Sequence, residues 1–259
     1  MIFVETEPLT DSRPFQQNMK AQQMQMSEIL KQNLTTILDE IEQARRRSPC
    51  AAGSVRLVAV TKYAQPEWVA ALSLLHPVFG ENRPQQLADR AAELPQQEWH
   101  LIGHLQRNKV RLAVNSAALI HSVDSIRLLQ AIDTAVTATS TVPSVLLQVN
   151  LSRETEKTGF SSEEIQELWP EILKSAPRVR LQGLMTMAAA TDDPEEARPV
   201  FRELRELRDK LNQHPHSAAC KVRLSELSMG MSGDFVPAVE EGATLVRVGS
   251  RLFAGLQSE

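Results

Sequence analysis

The chain has 259 residues and a formal net charge of −4, and its 42% hydrophobic and 23% charged residues are typical of a globular protein with a substantial core. This balance gives no electrostatic footprint for nucleic acid or an anionic membrane, and no apolar run approaches the roughly 20 residues of a membrane span. The two cysteines, Cys50 and Cys220, lie outside metal-ligand spacing, and no apolar stretch near the N-terminus suggests a signal peptide. We therefore expect free thiols, no membrane or nucleic-acid partner, and a cytoplasmic protein.

The first part of the chain divides into a tail and a helix. Residues 1–16 have little periodicity and two prolines, which predicts a flexible N-terminal tail. Residues 18–47 contain neither Gly nor Pro and carry apolar residues at roughly helical spacing, which predicts one long helix.

Strand and helix patterns alternate over the rest of the chain. The predicted strands cover residues 57–62, 77–79, 98–102, 118–121, 142–150, 179–183, 222–226 and 245–248. Helical patterns follow the first seven strands, at residues 67–75, 85–93, 106–114, 125–137, 162–174, 194–212 and 234–241, and a short segment at 251–256 closes the chain.

This alternation is typical of an α/β protein built as a (β/α)8 TIM barrel. A doubly wound open sheet is the alternative, but no Gly-x-Gly-x-x-Gly follows the first strand. No linker rich in Gly, Ser or Pro divides the chain. We therefore predict a single barrel domain over residues 17–259, with an extra N-terminal helix that covers the barrel bottom or an edge.

A lysine stands where the first predicted strand gives way to a helix. Leu57 to Val60 form a buried apolar run, Lys62 follows, and Pro66 lies in the first turn of the next helix. In α/β proteins functional sites are built at this end of the strands. A lysine held against a low-dielectric interior can serve as a nucleophilic amine, and a solvated lysine in an ordinary loop is the alternative.

Small residues follow the last two predicted strands, where barrels of this kind commonly bind phosphate. Ser228, Gly230 and Gly233 follow strand 7, and Gly249 and Ser250 follow strand 8. Glycines allow close backbone approach, and each turn is followed by a helix start with free N–H groups. Two such turns could cradle one phosphate, although ordinary turns capped by serine would look the same.

The alternation of strand 8 predicts where Arg247 points. Leu245, Arg247 and Gly249 share one face of the strand, so Arg247 enters the barrel if the intervening valines face the helices. An arginine there needs a partner, which could be a structural carboxylate such as Glu226 or a ligand.

These features converge, because strands 1 and 8 are neighbours in a closed barrel. A phosphorylated aldehyde would satisfy both the lysine and the phosphate cradle. Pyridoxal 5′-phosphate (PLP) fits this description, and so does the substrate of a Schiff-base aldolase acting on a sugar phosphate. His100, His104 and His121 near strands 3 and 4 fit no strong zinc spacing, so we expect no metal.

Eight sequence blocks resemble one family, the YggS/PROSC family of PLP-binding, PLP-homeostasis proteins. They are Val-Ala-Val-Thr-Lys (58–62), Phe-Gly-Glu-Asn (79–82), Trp-His-Leu-Ile-Gly-His-Leu-Gln-Arg-Asn-Lys (99–109), His-Ser-Val-Asp (121–124), Gln-Val-Asn-Leu-Ser-x3-Glu-Lys-Thr-Gly (148–159), Gly-Leu-Met-Thr-Met (183–187), Leu-Ser-Met-Gly-Met-Ser-Gly-Asp (227–234) and Val-Arg-Val-Gly-Ser-x-Leu-Phe (246–253). The resemblance covers about residues 20–255, and the blocks occur in order and at suitable spacing. One departure is Phe-Ala-Gly at 253–255, where the family usually has Phe-Gly.

The resemblance implies roles for individual residues. It implies that Lys62 forms the internal aldimine with PLP and that Arg247 lies near the pyridine nitrogen. The remaining cofactor-binding residues that it implies are Ser228, Gly249 and Ser250 at the phosphate, and Asn82, the 102–104 edge and Met229 around the ring. A cation beside the pyridine nitrogen disfavours its protonation, which makes the ring a poorer electron sink.

The resemblance also implies a fold and a function. The fold resembles the N-terminal barrel of alanine racemases, and the chain leaves no room for the further domain that those enzymes carry. We therefore expect a monomeric PLP carrier that helps to control PLP supply, with PLP-dependent apoenzymes as candidate partners and no robust catalysis. A PLP-dependent amino-acid racemase, or a transaminase-like enzyme, is the alternative, although only Lys62 is a candidate acid/base. A Schiff-base aldolase without PLP is the third possibility.

Overall fold

Eight parallel strands close into a barrel in the order in which they occur in the chain. A computed structural model describes residues 13–50, 53–136, 142–151 and 158–256, with side chains from residue 22 onward. The strands are β1 (Arg56–Val60), β2 (Val78–Glu81), β3 (Glu98–Leu101), β4 (Leu119–Val123), β5 (Ser144–Gln148), β6 (Arg180–Met185), β7 (Glu226–Ser228) and β8 (Leu245–Val248). The predicted (β/α)8 barrel is confirmed, and so is the pairing of strand 1 with strand 8.

Helices surround the barrel. After the N-terminal helix α1 (Arg13–Arg47) they are α2 (Pro66–Ser73), α3 (Pro84–Glu93), α4 (Val110–Ser116), α5 (Ile126–Val136), α6 (Ser162–Glu167), α7 (Trp169–Ser175), α8 (Arg198–Gln213), α9 (Pro215–Ala219) and α10 (Phe235–Glu240). Short 3-10 segments, Arg107–Lys109 and Pro194–Ala197, precede α4 and α8. The predicted helix at 162–174 is two helices in the structure, because Pro170, in the first turn of the second helix, cannot donate a hydrogen bond that would continue the first one.

The N-terminal helix α1 occupies the flank of the barrel between α10 and α2. From β8 to residue 256, where the described part of the chain ends, only turns are present, so α1 stands where the eighth helix of a regular barrel would be. Its buried residues recur at spacings of three and four, at Leu30, Leu34, Ile37, Ile41 and Ala44. The prediction that this helix covers the barrel bottom or an edge was wrong. A closed barrel has no edge strand, and the position left uncovered in the outer ring of helices lies between α10 and α2.

Two hydrophobic layers lie on the two sides of the strands. A small cluster fills the barrel interior, made of Val58, Val78, Leu119, Leu146, Met185 and Leu245. A larger core lies between the strands and the helices and includes Val246 and Val248. The valines of β8 therefore face the helices, which confirms that Arg247 points into the barrel.

The start of β7 differs from the prediction. The strand was predicted at residues 222–226 and lies at Glu226–Ser228. Both backbone groups of Leu224 are bound by the Asn212 side chain, with the Leu224 N–H donating to Oδ1 at 2.7 Å and Nδ2 donating to the Leu224 carbonyl at 2.9 Å. This contact keeps Leu224, which lies within the predicted strand, out of the hydrogen-bonded ladder of β7.

The N-terminal boundary also differs. Helix α1 begins at Arg13, inside the predicted tail of residues 1–16. The rest of that predicted tail, residues 1–12, lies outside the described part of the chain, and so do residues 152–157 of the sequence block at 148–159.

Candidate functional site

The carboxyl ends of β7, β8 and β1 meet at one mouth of the barrel. Strand β8 pairs with β1 on one side and with β7 on the other. The Gly249 N–H donates to the Ser232 hydroxyl at 3.2 Å, which joins the loop after β8 to the loop after β7. A Cβ at Gly249 would lie 3.1 Å from the Val60 carbonyl oxygen, so β8 also passes close to the end of β1.

Lys62 lies two residues beyond β1 and is exposed. It lies in the turn after the strand, whose Val58 belongs to the interior cluster. Its Nζ lies 5.0 Å from the centroid of the Tyr63 ring, and Tyr63 is itself 85% exposed. Lys62 is therefore not held against the apolar interior, as the sequence suggested. Its amine is accessible to a ligand that enters the mouth.

A buried network supports the turn that carries Lys62. The Thr61 hydroxyl donates to Glu81 Oε1 at 2.5 Å, and Arg90 Nε lies 3.1 Å from the same oxygen. Arg90 also donates through Nη2 to the Ala64 carbonyl at 2.8 Å. Burial raises the pKa of Glu81, against the lowering effect of Thr61 and Arg90. The residues on both sides of the Lys62–Tyr63 pair are therefore fixed from the helix side.

Arg247 projects into the barrel and is 4% exposed. It donates through Nη1 to the Ser228 hydroxyl at 2.6 Å and through Nη2 to the Thr186 carbonyl at 2.9 Å. The structural carboxylate that the sequence suggested, Glu226, instead accepts the Thr244 hydroxyl at 2.6 Å. No described carboxylate lies within ion-pair distance of Arg247, and burial lowers its pKa to about 10, against the raising effect of the more distant Asp234 charge. A buried cation without an acidic partner is well suited to an electron-rich ligand.

Ser228 lies inside β7 rather than in the loop after it, and it is fully buried. Its hydroxyl oxygen lies between Arg247 Nη1 and His121 Nδ1, the latter at 2.8 Å. The role of Ser228 at a phosphate stays a prediction. The Met229 side chain packs in the core between strands and helices with no exposure, so only its backbone could meet a ligand.

The loop after β7 offers a cradle for an anion. Gly230 has a φ of 90°, and a Cβ there would lie 2.6 Å from the Cβ of Ala238, so this turn requires glycine. Among the described residues, nothing accepts the backbone N–H groups of Ser232, Gly233 and Ser250. A Cβ built at Gly233 meets no atom within 4 Å, so open space lies beside these donors.

The other predicted positions lie on neighbouring strands of the same mouth. Asn82 follows β2 and is half-buried, and Ile102 and Gly103 follow β3. A Cβ at Gly103 would lie 2.2 Å from the Asn82 carbonyl oxygen, so the two loops touch. His104 is exposed, with Nδ1 3.3 Å from Asp124 Oδ2.

From the sequence, we considered His100 and His121 only as metal ligands and did not predict that they join a set of polar residues inside the barrel. His100 and His121 are fully buried, with His121 Nε2 3.0 Å from His100 Nδ1. His100 Nε2 lies 2.8 Å from Glu98 Oε1, and Arg56 donates to the same oxygen at 2.7 Å. Polar residues at alternate, inward-facing strand positions were the signal that could have identified them. Within the described ranges, no group of His, Cys, Asp and Glu is arranged to hold a metal ion.

Two kinds of known protein match the sequence. The family model for the alanine racemase N-terminal domain matches residues 32–257. The chain is 38% identical over 225 residues to the pyridoxal phosphate homeostasis protein of Aquifex aeolicus, covering 86% of this chain and 96% of that protein. The protein of the same name from Deinococcus radiodurans is 38% identical over 224 residues, covering 86% of this chain and 100% of that protein.

Solved structures show the same architecture. PipY of Synechococcus elongatus PCC7942, solved with PLP bound, matches with a TM-score of 0.71 at 35% identity, covering 83% of this chain and 99% of PipY. Alanine racemase of Clostridium difficile 630 matches with a TM-score of 0.66 at 16% identity, covering 90% of this chain and 58% of that enzyme. The racemase likeness concerns the fold alone. No helix among the described residues is long and apolar enough to cross a membrane.

Proposed function

The chain belongs to the YggS/PROSC family of pyridoxal phosphate homeostasis proteins, and on that premise we propose that it binds PLP and serves intracellular PLP homeostasis without robust catalysis. In this proposal Lys62 holds PLP as a Schiff base. The observation that carries the assignment is the meeting of an exposed amine and a buried guanidinium, without an acidic partner among the described residues, at one barrel mouth.

The residues at the mouth fit the chemical groups of PLP. Bound PLP supplies an aldehyde that amines capture and a ring that withdraws electrons. Gly249, Ser250 and the backbone N–H groups near Gly233 would hold the phosphate, and the open space beside Gly233 supports this role. Asn82 and the loop after β3 would border the ring.

Arg247 explains why a carrier is favoured over an enzyme. We assign it to the pyridine nitrogen, where a guanidinium disfavours protonation and weakens the ring as an electron sink. A racemase also needs an acid/base on each face of its substrate. Of the described residues at the mouth, we assign such a role to none besides Lys62.

The absorption spectrum with added PLP tests the site. We expect a visible band in the wild type and in Lys109→Ala, which removes another exposed lysine near the mouth. The band is expected to be absent from Lys62→Ala, and borohydride reduction followed by mass spectrometry should place the adduct on Lys62. A wild type that takes up no PLP, or an adduct on another lysine, would overturn the assignment.

Exchange of the Cα hydrogen separates a carrier from an enzyme. We expect PLP-loaded protein to exchange the Cα hydrogen of a panel of amino acids in deuterium oxide no faster than free PLP. Mass spectrometry of the amino acids follows the exchange, with an amino-acid racemase as the positive control. Brisk exchange with one amino acid would identify a PLP enzyme instead.

The proposal includes the setting of this role. We infer a monomer that acts in the cytoplasm, with PLP-dependent apoenzymes as recipients of the cofactor. Light scattering of PLP-loaded protein checks the monomer against the chain mass of 28.9 kDa.

A further inference from the structure

A continuous series of hydrogen bonds crosses the barrel interior from its base to its mouth. It starts at Glu98 at the amino end of β3 and runs through His100 and His121 to Ser228 and Arg247. The three inner members, His100, His121 and Ser228, are each 0% exposed. The residues come from four strands, so the barrel itself sets their spacing.

The proton positions along this series follow from its ends. The His100 hydrogen bond, followed by that of Arg56, lowers the pKa of Glu98 to about 2, so its carboxylate only accepts. Burial lowers the pKa of His100, so the ring is neutral, donates through Nε2 and accepts at Nδ1.

The remaining links then have one consistent direction. His121 Nε2 donates to His100 Nδ1, which leaves His121 Nδ1 as an acceptor. The Ser228 hydroxyl donates to that nitrogen, and a lone pair of its oxygen is left to accept Arg247 Nη1. Every link therefore points from the mouth towards Glu98.

We propose that Glu98, His100 and His121 are positioning residues that act through Ser228 to aim the Arg247 guanidinium at the ligand in the mouth. Because Ser228 is committed as a donor to His121, it can meet Arg247 only as an acceptor. The inference rests on the proposed function, since the ligand that Arg247 faces is the PLP assigned above.

Few of the described charged groups lie near the two histidines, so few can influence the protonation of the rings. The titratable and charged groups that act on His100 are Glu98, Arg56 and Glu226, and those that act on His121 are His100, Arg247 and Arg56. Both histidines are held neutral mainly by burial. This environment favours two neutral rings in the same tautomer, each with its proton on Nε2.

Nitrogen-15 NMR of the histidine rings tests the direction of the series without PLP. At neutral pH we expect His100 and His121 to be neutral, each with its proton on Nε2, and single substitutions assign the signals. A charged ring, or a proton on Nδ1 of either residue, would overturn the proposal.

Two substitutions of His121 test the effect on Arg247. The amide oxygen of His121→Asn can replace Nδ1 as the acceptor for Ser228, whereas His121→Leu removes the acceptor. In PLP-free protein we expect separate, slowly exchanging Arg247 guanidinium signals in the wild type and His121→Asn, and their loss in His121→Leu. Ser228→Ala should also lose the slowly exchanging Arg247 signals. Because it is a smaller change, it provides the same test if the His121→Leu variant does not fold.

PLP titration followed by the visible band extends the same comparison. We expect His121→Leu to weaken PLP binding by about tenfold, since a buried donor is left without an acceptor, and His121→Asn to recover most of this loss. Equal losses in the two variants would overturn positioning by His121. A wild type that binds no PLP would refute the proposed function. The Arg247 guanidinium signals of the PLP-free variants would still test whether the series of hydrogen bonds positions Arg247.

Discussion

Arg247 is the residue at which stability and binding are most clearly opposed. A buried charge costs free energy unless it is paired, and this guanidinium is bonded to a hydroxyl and a carbonyl rather than to a carboxylate. Its lowered pKa has the same origin, because burial disfavours the charged form. A site that keeps such a group is preorganised for a ligand and pays in the stability of the unliganded protein.

Replacing Arg247 should therefore separate the two properties. We expect Arg247→Met to raise the free energy of unfolding of the PLP-free protein by about 1 kcal/mol, because a buried charge is removed. The same change should weaken PLP binding. Urea denaturation and PLP titration measure the two effects, with Arg247→Lys as the control that keeps a positive charge. A Met variant that is less stable than the wild type would contradict this account.

At the scale of elements, the hydrophobic pattern of the sequence predicted strand bounds correctly where no side chain from a distant part of the chain binds the strand backbone. The bounds of β8 were predicted correctly because Leu245 and Arg247 alternate with two valines between the two sides of the sheet. The start of β7 was missed because a side chain from α8, Asn212, binds the backbone of Leu224. A contact of this kind leaves no periodic trace in the sequence.

The site was predictable to the extent that it follows from chain order. Gly249 lies close to Val60, two residues before Lys62, because the first and last strands of a closed barrel are neighbours. The polar series inside the barrel was not predicted, because its links join distant residues, such as His121 and Ser228, which are 107 positions apart. Alternation shows which side chains face inward, and only the strand register shows which of them touch.

The buried pair of Glu81 and Arg90 connects β2 and α3 to the turn that carries Lys62. Arg90 satisfies one oxygen of Glu81 and also holds the Ala64 carbonyl, while Glu81 Oε2 has no partner among the described residues. Removal of one member of a buried pair leaves the other charge uncompensated, which is more damaging than removal of both.

This pair gives a prediction about the turn. We expect Arg90→Met to lower the free energy of unfolding by about 3 kcal/mol, and the double variant Glu81→Gln with Arg90→Met to regain part of it. The single variant should also react more slowly with PLP, because Ala64 is released beside Lys62. Denaturation and the rate of appearance of the visible band measure the two effects. A double variant less stable than Arg90→Met would contradict the pairing.

At the scale of the whole molecule, neutral buried histidines make stability depend on pH. Burial lowers the pKa of His76, His100 and His121 in the folded protein, so the unfolded chain binds more protons once the pH falls below about 6.5. The free energy of unfolding should therefore fall with the pH in that window, by at most about 1.4 kcal/mol per pH unit for each histidine. Glu81 opposes this trend, because its pKa is raised.

A comparison of variants isolates the contribution of the barrel interior. Denaturation at about pH 7.5 and about pH 5.5 should show a smaller loss of stability in His121→Asn than in the wild type. His104→Gln, at an exposed histidine, should lose as much as the wild type. Equal losses in all three proteins would show that His121 does not resist protonation in the folded state.

The closure of the outer helical layer depends on α1, which stands in for an eighth helix. Asn33 on α1 donates through Nδ2 to the carbonyls of Leu252 and Ala254, at 3.0 and 2.9 Å. Arg251 in the same closing segment pairs with Glu40 of α1. The segment after β8 is thus attached to α1 by side chains, and Gly249 and Ser250 lie immediately before it.

Replacement of Asn33 tests whether this attachment stabilises the whole barrel. We expect Asn33→Ala to lower the free energy of unfolding by about 1 to 2 kcal/mol, since two carbonyls lose their donor while the barrel strands keep all their own hydrogen bonds. Thr35→Ala is the matched control, because its hydroxyl bonds only within the exposed face of α1. Urea denaturation measures both variants, and hydrogen exchange at residues 249–256 locates the loosened segment. If Asn33→Ala is no less stable than Thr35→Ala, α1 is an appendage rather than the eighth helix of the barrel.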